Sequence, residues 1–293
     1  MEACATAHFW ARELIKLGHK VRLIPPVYVK AYVKRQKNDA ADAAAICEAV
    51  TRPSMRFVPI KSEEQQAALA VHRARVLLMR QRTKLMHALR AHMAELGIIA
   101  ETGLEGLAKL VNFVSDARSN GSLPQPMVAA LSALVDQVMS LDQQIRELDR
   151  CIKEQHRASD VSKRLESIPG IGIMGATALA AAVIDPSQFK TGRDLAAWIG
   201  LVPKQNSTGG KVKLGSITKQ GDQYLRRLLV LGGMSVVKIA KIFPWRYPWV
   251  VKLLEKKPPK VVAVAVANKL ARIAWAIMNN GGIFRTANYA VKM

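Results

Sequence analysis

Residues 127–152 read MVAALSALVDQVMSLDQQIRELDRCI and contain the most regular hydrophobic pattern of the chain. Its apolar side chains alternate spacings of four and three residues, at Met127, Leu131, Leu134, Val138, Leu141, Ile145, Leu148 and Ile152. Heptad spacing of this kind lets one face of a helix pack against another helix along its whole length. The pattern therefore predicts a long helix within a coiled coil.

A second long helix precedes this one in the chain. The capping box Ser62-Glu-Glu-Gln65 predicts its start, and Gly97 ends it after about Leu96. The following residues, up to Pro124, hold several glycines and are interpreted as a linker. Two such helices predict an antiparallel coiled-coil hairpin, while the same seam could also pair with a second copy of the chain or form an ordinary bundle core.

The first 60 residues predict a small α/β layer. A helix over residues 7–17 ends at Gly18, a short strand follows at 21–24, and a helix capped by Asn38 runs to Val50. A single strand cannot form a sheet, so this segment is interpreted as part of an α/β domain. The fold class expected for the whole chain is mainly α with a small α/β part.

The composition indicates a polyanionic partner. The chain carries 44 lysines and arginines against 22 acids, a net charge of +22, which favours nucleic acid. A membrane surface is the competing polyanion, but the charge is not gathered in one terminal amphipathic helix and no run of 18 apolar residues occurs. The three cysteines lie far apart and predict neither a disulfide framework nor a zinc site. A cytoplasmic protein without a membrane partner is expected.

A glycine-rich turn, Ile168-Pro-Gly-Ile-Gly172, lies between two predicted helices of the C-terminal part. This pattern is typical of a helix-hairpin-helix element, in which backbone N–H groups at a helix start bind a DNA phosphate. Gly170 and Gly172 are therefore candidate DNA-binding residues. The alternative is a turn that only joins two packed helices.

A basic segment with adjacent hydroxyl residues follows at 206–222. Ser207 precedes Gly209 and Gly210, which tolerate positive φ, and lysines surround it at positions 204, 211, 213 and 219. Lys204, Lys211, Lys213 and Lys219 are thus predicted to hold a DNA phosphate against a nucleophile. A helix starting at Asp222 adds Arg226 and Arg227. On residue type alone, a flexible basic loop with a Ser/Thr turn is the competing interpretation.

Two carboxylates, Asp39 and Asp42, lie three residues apart at the start of a predicted helix. That spacing places them on one face, about 5–6 Å apart at Cβ. Paired hard oxygen ligands suit Mg²⁺, which binds one or two carboxylates together with waters and substrate phosphate. The alternative is that Asp39 helps to cap the helix and Asp42 is simply solvated.

Several long motifs together resemble the IS110-type transposases, in particular their IS1111-like group. They are Met1-Glu-Ala-Cys4, Lys37-Asn-Asp-Ala-Ala-Asp-Ala43, Ile168-Pro-Gly-Ile-Gly172, Asp194-Leu-Ala-Ala-Trp-Ile-Gly-Leu-Val-Pro203, Ser207-Thr-Gly-Gly-Lys211 and Leu214-Gly-Ser-Ile-Thr-Lys-Gln-Gly-Asp222. The resemblance covers almost the whole chain. It implies a DNA transposase, a recombinase that cleaves and exchanges strands.

The resemblance also implies a fold and a set of site residues. The fold would be a RuvC-like (RNase H-fold) domain with an acidic tetrad, a coiled coil, and a C-terminal transposase domain with a reactive serine. Glu2, Asp39 and Asp42 match three members of the tetrad, and Ser207 matches the serine nucleophile. Thr208 is the neighbour with which Ser207 could be confused, because the spacing to Gly209 is ambiguous by one residue.

One departure from the family pattern concerns the first aspartate of the tetrad, which lies several tens of residues before the glutamate. Only Met1 precedes Glu2 here. We therefore expect an N-terminally truncated chain with an incomplete RuvC-like layer, which cannot form a complete metal site alone. The expected boundaries are a partial RuvC-like domain at 1–60, coiled-coil helices with a linker at 61–158 and the transposase domain at 159–293.

The family mechanism implies partners beyond the DNA of the element ends and target. Strand exchange needs several active sites, so a homo-oligomer held through the heptad seam is expected, and some family members use a guide RNA. Two rival functions remain open. One is a catalytically dead nucleic-acid-binding remnant, and the other is a RuvC-like metal-dependent nuclease in which carboxylates perform the chemistry.

Overall fold

The computed structural model describes residues 1–34 and 38–285, and it begins with a small α/β unit. The extended segment at Glu2 runs parallel to the one at Ile24, where Ala3 N donates to Ile24 O at 2.8 Å. Helix α1 (Ala7–Lys16) connects the two segments. On the other side, Val58 N donates to Leu23 O at 2.7 Å in an antiparallel bridge. The predicted strand at 21–24 is thus the central one of three short extended segments.

The next two helices complete this unit. Helix α2 (Pro26–Val29) is short, and α3 (Asp39–Val50) begins where Asn38 Oδ1 accepts a hydrogen bond from Ala41 N at 2.7 Å. The predicted cap and helix are therefore confirmed. Lys37 of the acidic motif lies outside the described residues.

Helix α4 (Glu63–Ala94) starts at the predicted capping box. Ser62 Oγ accepts from Gln65 N at 3.2 Å, and Gln65 Oε1 accepts from Ser62 N at 2.9 Å. The predicted linker that follows was wrong, because most of it forms helix α5 (Leu104–Asn120). Its apolar residues Leu107, Leu110 and Val114 have helical spacing and are buried. Of the glycines that suggested a linker, Gly103 and Gly121 flank this helix and Gly106 lies in its first turn.

Helix α6 (Gln125–Ala158) lies antiparallel to α4 within the same chain. The ion pairs Arg75–Asp149 and Arg82–Asp142 fix this direction, since the residue number rises by seven on one helix as it falls by seven on the other. Leu131, Val138 and Leu141 of the heptad seam are almost completely buried. The intramolecular hairpin is therefore the arrangement observed. The seam is covered by the chain itself and offers no free surface for the expected oligomer contact.

The C-terminal part packs short and long helices around one hydrophobic core, from which a hairpin projects. Its elements are α7 (Asp160–Glu166), α8 (Ile173–Ala182), α9 (Gly192–Trp198), β1 (Pro203–Gln205), β2 (Leu214–Ile217), α10 (Gln223–Ile242), α11 (Pro248–Leu254) and α12 (Pro259–Asn280). Asp222 caps α10, as the predicted helix start there requires, and Thr191 forms a capping box with Asp194 at the start of α9. The fold is thus mainly α with a small two-stranded sheet and the N-terminal α/β unit.

Helix α12 differs from expectation, because by length and composition alone it could cross a membrane. Its side chains at Val262, Val266, Leu270 and Ala274 recur every four residues and are buried. They belong to the same core as residues of α9 and α10. In this structure α12 is accordingly the central core helix of the C-terminal part.

A buried polar chain attaches α4 to this core. His72 Nδ1 lies 3.0 Å from Tyr224 Oη on α10, and His72 Nε2 lies 3.1 Å from Thr177 Oγ1 on α8. Thr177 donates its own proton to Ile173 O at 2.7 Å. His72 therefore donates through Nε2–H to Thr177, and in the neutral ring Nδ1 accepts from the Tyr224 hydroxyl. Burial, with a smaller effect of the Arg75 charge, lowers the pKa of His72 to about 4.

Two adjacent glycines bring backbones into contact at the middle of α10. A Cβ added at Gly232 would lie 2.0 Å from Gly170 O in the turn before α8. A Cβ added at Gly233 would lie 2.3 Å from Ala263 O on α12. In both cases the obstacle is backbone, which cannot move aside as a flexible side chain can. These positions accept no side chain without separating packed elements.

We expect Gly233→Ala to destabilise the protein by about 2 kcal/mol or more. Alanine improves helix propensity by about 1 kcal/mol, but overpacking against backbone typically costs about 1–3 kcal/mol and occasionally more, and here the clash is severe. Urea unfolding followed by circular dichroism measures the difference. Ser235→Ala, on the exposed face of the same helix, is the control and should unfold at an unchanged or slightly higher urea concentration. Equal midpoints for the two variants would contradict the close packing.

We also expect stability to fall on acidification through His72. The folded state keeps the ring neutral down to a pKa of about 4, whereas the unfolded chain protonates it near 6.5. The unfolded state thus binds more protons in this window. The contribution is complete above pH 6.5 and is lost toward pH 4, by at most about 1.4 kcal/mol per pH unit.

Unfolding free energies of the wild type and His72→Gln between pH 4 and 7 test this expectation. The pKa of His8 is also lowered, first by burial, so only the difference between the two proteins isolates His72. The wild-type curve should be steeper, and parallel curves would exclude a neutral buried His72.

Candidate nucleic-acid interface

The basic segment after α9 forms a β-hairpin rather than the flexible loop considered from sequence. Strands β1 and β2 pair antiparallel, and beyond them Thr208 and Lys211 exchange backbone hydrogen bonds of 3.3 and 3.0 Å. Gly209 and Gly210 between them have φ of +54° and +75°. Two successive positive φ values are those of a type I′ turn, which favours Gly-Gly. This dipeptide, with Thr and Lys on either side, was the hairpin signal in the sequence.

Ser207 lies beside the turn, and its hydroxyl has defined partners. Oγ accepts a hydrogen bond from Gln205 Nε2 at 3.1 Å and another from Lys213 N at 3.2 Å. Both partners donate, so the O–H proton is left to point toward an external acceptor. The two donors also stabilise negative charge on Oγ. Thr208 takes part in the turn through its backbone, and its side chain has no hydrogen bond among the described residues.

The surface around this serine is positively charged and fully accessible. Lys204, Lys211 and Lys213 are exposed on the hairpin, and Lys219 follows it with the unusual φ of +57°. No acidic residue occurs between positions 203 and 221. The side chains of Val212 and Leu214 are also exposed. A hairpin with this composition lacks an internal counter-charge and attracts an anion.

The base of the hairpin is fixed by Arg226 on α10. Its Nη1 donates to Ile199 O at 2.8 Å and to Gln220 O at 2.7 Å, which joins the residues before β1 to those after β2. Asp222 caps α10 by accepting from Tyr224 N at 2.7 Å and Leu225 N at 3.0 Å. Arg227, the next residue, is exposed and has no such partner among the described residues. The two arginines predicted to bind DNA therefore differ, because Arg226 also has a structural role.

The charge of Asp222, at the base of the hairpin, acts on Lys61 at the junction of the N-terminal unit and α4. Burial and the Arg73 charge lower the pKa of Lys61, and Asp222 opposes this shift. Lys61 in turn is held by α1, since Arg12 Nη1 donates to its carbonyl at 2.8 Å and its N–H donates to His8 Nδ1 at 3.2 Å. The N-terminal unit and the hairpin base are thus electrostatic neighbours.

The predicted phosphate-binding turn lies between α7 and α8. Gly170 has a φ of +92° and contacts the backbone of Gly232, so it serves the packing of the turn on α10. Gly172 is exposed and precedes the first turn of α8, with open space where a Cβ would lie. Only Gly172 leaves backbone N–H groups of a helix start accessible to a phosphate.

The three predicted carboxylates lie on the N-terminal unit. Glu2 belongs to the parallel bridge, and Asp39 and Asp42 occupy the first turn of α3, where negative charge interacts favourably with the helix dipole. Within residues 1–34 and 38–285, no group of three or more His, Cys, Asp or Glu side chains is arranged to hold a metal ion. The structure therefore gives Asp39 and Asp42 a shared helical turn but does not join Glu2 to them.

Comparison with known proteins assigns the class. Residues 1–98 match the DEDD transposase model of IS110 elements, and residues 162–247 match the transposase IS116/IS110/IS902 family. A probable family 20 transposase of Pseudomonas aeruginosa is 48% identical over 97% of this chain and 85% of its own length. A putative transposase of Sinorhizobium fredii is 47% identical over 98% of this chain and 74% of its own.

The protein is thus a transposase, an enzyme of the recombinase type that acts on DNA. A transposase for insertion sequence element IS1111A of Coxiella burnetii is 35% identical over 97% of the chain and 78% of that relative. The chain belongs to the IS116/IS110/IS902 family of transposases. Its match to the DEDD transposase model also indicates dependence on a divalent metal.

The adjacent arginines of α10 provide a matched test of the hairpin base. We expect Arg226→Gln to lower stability by about 1–2 kcal/mol, because charge-assisted hydrogen bonds to two backbone carbonyls are lost, one of them partly buried. Arg227→Gln removes the same charge from an exposed site and should change stability by less than about 0.5 kcal/mol. Thermal unfolding of both variants decides the assignment, and a larger loss in Arg227→Gln would refute it.

Proposed function

We propose that this transposase cleaves and exchanges DNA strands through Ser207, presented on the projecting hairpin. One observation carries the proposal. The Ser207 hydroxyl accepts hydrogen bonds from Gln205 Nε2 and Lys213 N at the tip of an exposed basic hairpin. This geometry fixes the oxygen, leaves its proton free to be removed, and places cations where phosphate oxygens would lie.

The chemistry is a phosphoryl transfer to the serine. Ser207 Oγ loses its proton to a base and bonds to phosphorus, and the bond from phosphorus to a deoxyribose oxygen breaks. The leaving oxygen takes up a proton, and the phosphate remains linked to the protein as a phosphoserine ester. Attack on that ester by a hydroxyl of a second strand releases Ser207 and completes the exchange without an external energy source.

Cationic and backbone donors would hold the reacting phosphate. Lys204, Lys211, Lys213 and Lys219 neutralise its oxygens as negative charge develops in the transition state. Farther from the hairpin, Arg227 and the amides after Gly172 would contact neighbouring phosphates. Because Arg226 holds the base of the hairpin, its contribution would be to position the hairpin. It would contact DNA only through the N–H groups that do not bind these carbonyls.

We further propose Mg²⁺ as the divalent metal, with Glu2, Asp39 and Asp42 as carboxylate ligands. Hard oxygen donors suit this ion, which would supply Lewis-acid stabilisation of charge on a phosphate. The described residues do not by themselves assemble a site of three ligands.

Assembly and guidance also belong to this proposal. Strand exchange joins two duplexes, which favours a homo-oligomer, and the contact must use a surface other than the heptad seam that α4 covers. A guide RNA, where one is used, would bind the basic exposed face of α4, which carries Arg73, Arg80 and Lys84. We place the protein in the cytoplasm, where its DNA substrate lies in a bacterial host, without a membrane partner.

A second candidate function is a nucleic-acid-binding protein without catalysis. The absence of a three-ligand metal group within the described residues favours it. It requires the same lysines but neither Ser207 nor the carboxylates. A metal-dependent nuclease of RuvC type needs the carboxylates but forms no covalent link.

Trapping of covalent adducts separates these functions. Incubation with end DNA of the element and Mg²⁺ should give a protein–DNA adduct that survives denaturation, and Ser207→Ala should abolish it. Thr208→Ala is the matched control for the neighbouring hydroxyl and should keep most of the adduct, because only the backbone of Thr208 shapes the turn. Chelation with EDTA should remove the adduct and leave DNA binding intact.

The remaining outcomes are equally informative. Loss of the adduct in Thr208→Ala but not in Ser207→Ala would move the nucleophile by one residue. Metal-dependent cleavage without an adduct would favour the nuclease. DNA binding without cleavage in any form would favour the non-catalytic protein.

A further inference from the structure

An open cleft lies between α9, α11 and α12 of the C-terminal part. Its volume is about 810 Å³, within the range of ligand-binding sites. Trp249, Trp275 and Phe284 supply aromatic walls, and Arg193, Lys269 and Arg272 line it with positive charge. Among the residues that the structure describes, none that lines the cleft is acidic. Aromatic walls with only cationic charge are the composition of a site for an unpaired nucleotide.

The cations of this cleft have little compensation from the protein. Residues 186–285 contain 18 lysines and arginines but only three acids, Asp194, Asp222 and Glu255. Asp194 and Asp222 are occupied as helix caps. Burial, and then the charge of Arg272, lowers the pKa of Lys269. Lys269 and Arg272 therefore repel each other across a surface that an anion would stabilise.

The aromatic side chains already interact with these cations. Lys269 Nζ lies 4.2 Å from the ring centre of Trp249, which is a cation–π contact. The Trp275 Nε1–H donates to Pro186 O at 2.9 Å, so its ring is held in place without a ligand. A phosphate that drew Lys269 away from Trp249 would expose the ring face to a base.

The cleft is connected to the hairpin through α9 and α12. Helix α9 begins at the cleft with Arg193, and its other end leads through Gly200 into β1. Asn268, which lines the cleft, donates through Nδ2 to Leu201 O at 3.2 Å, two residues before β1. The lining of the cleft is therefore joined directly to the segment that leads into the hairpin.

We propose that this cleft binds an unpaired segment of the DNA strand that the hairpin engages, with bases against Trp249 and Trp275 and phosphates on Lys269 and Arg272. The proposal deepens the proposed function, from which it takes DNA as the substrate. A duplex would not use the aromatic walls, because its bases are already stacked inside. A second copy of this chain, with a net charge of +22, would add charge of the same sign to a surface that lacks acids.

Binding in the absence of chemistry tests the cleft separately from the nucleophile. All proteins would carry Ser207→Ala, and fluorescence anisotropy would follow a labelled oligo(dT) of 12 nucleotides over a salt series. Lys269→Gln with Arg272→Gln should weaken binding about tenfold and reduce the salt slope by about 1.4, since each lost phosphate contact to a single strand removes about 0.7.

A matched control uses Arg150→Gln with Lys153→Gln. This pair has the same residue types, the same separation of three and an exposed position on α6, so it changes the net charge equally. Its affinity for oligo(dT) should stay within twofold of the parent. A loss equal to that of the cleft variant would reduce the effect to net charge and overturn the proposal.

Tryptophan fluorescence tests the stacking. Oligo(dT) should quench the parent protein, and Trp249→Phe should shrink the quenched fraction while affinity stays nearly unchanged, because phenylalanine still stacks. Trp10→Phe, which removes an exposed tryptophan of the N-terminal unit, is the control and should leave the absolute fluorescence lost on binding as in the parent. Identical quenching in Trp249→Phe and the parent would exclude a base at this wall.

The nature of the strand is decided by two competitors. The Lys269→Gln, Arg272→Gln variant should bind oligo(dT) about tenfold more weakly than the parent. Its affinity for a duplex of equal length should fall by less than about threefold. An equal loss for the duplex would assign the cleft to a duplex backbone and overturn the proposal. Tenfold tighter binding of oligo(U), lost in the same variant, would assign the cleft to RNA and equally overturn it.

Discussion

The contact of α10 with its neighbours through bare backbone is the constraint on which the rest of the C-terminal part depends. Gly232 faces the carbonyl of Gly170, and Gly233 faces that of Ala263. At both places the two backbones are too close to leave room for a Cβ atom. One helix is thereby held against both the turn that precedes α8 and the central helix α12. Because α10 begins at Asp222, immediately after the hairpin segment, this packing also decides where the hairpin emerges.

The attachment of the long helix pair follows from the same core. His72 on α4 contacts Tyr224 on α10 and Thr177 on α8, two helices whose positions the glycine contacts fix. The chain can use a neutral histidine there because each partner supplies the complementary hydrogen-bonding role. In a protonated ring, Nδ1–H would have only the Tyr224 hydroxyl as an acceptor, and that hydroxyl could then no longer donate its own proton to His72. The orientation of α4, and with it that of the N-terminal unit, is therefore set by hydrogen-bond direction as well as by apolar packing.

Prediction from sequence succeeded where a local rule determines the structure. The Asn38 cap, the Ser62 capping box and the end of α1 near Gly18 each depend on residues within one helical turn. The predicted linker was wrong because its glycines were interpreted as loop residues. The apolar spacing of the same segment would by itself have indicated the helix α5. The hairpin was missed because strands of three and four residues are too short for alternation to be visible. For the site, residue types located the basic serine segment, but the dual role of Arg226 and the cleft at Lys269 depend on contacts distant in sequence, which no local pattern contains.

The distribution of charge explains why the two halves of the molecule differ. In the helix pair, acids are used to pair cations, as in Arg75–Asp149, Arg82–Asp142 and Arg118–Asp136, so electrostatics there contributes to holding helices together. In residues 186–285 two of the three acids cap helices, and the lysines and arginines have almost nothing to neutralise them. Such self-repulsion destabilises a compact domain, and an apolar core built on α12 offsets it in the free protein. Under the proposed function, binding of DNA would remove this repulsion, so the same residues that weaken the isolated domain would strengthen the complex.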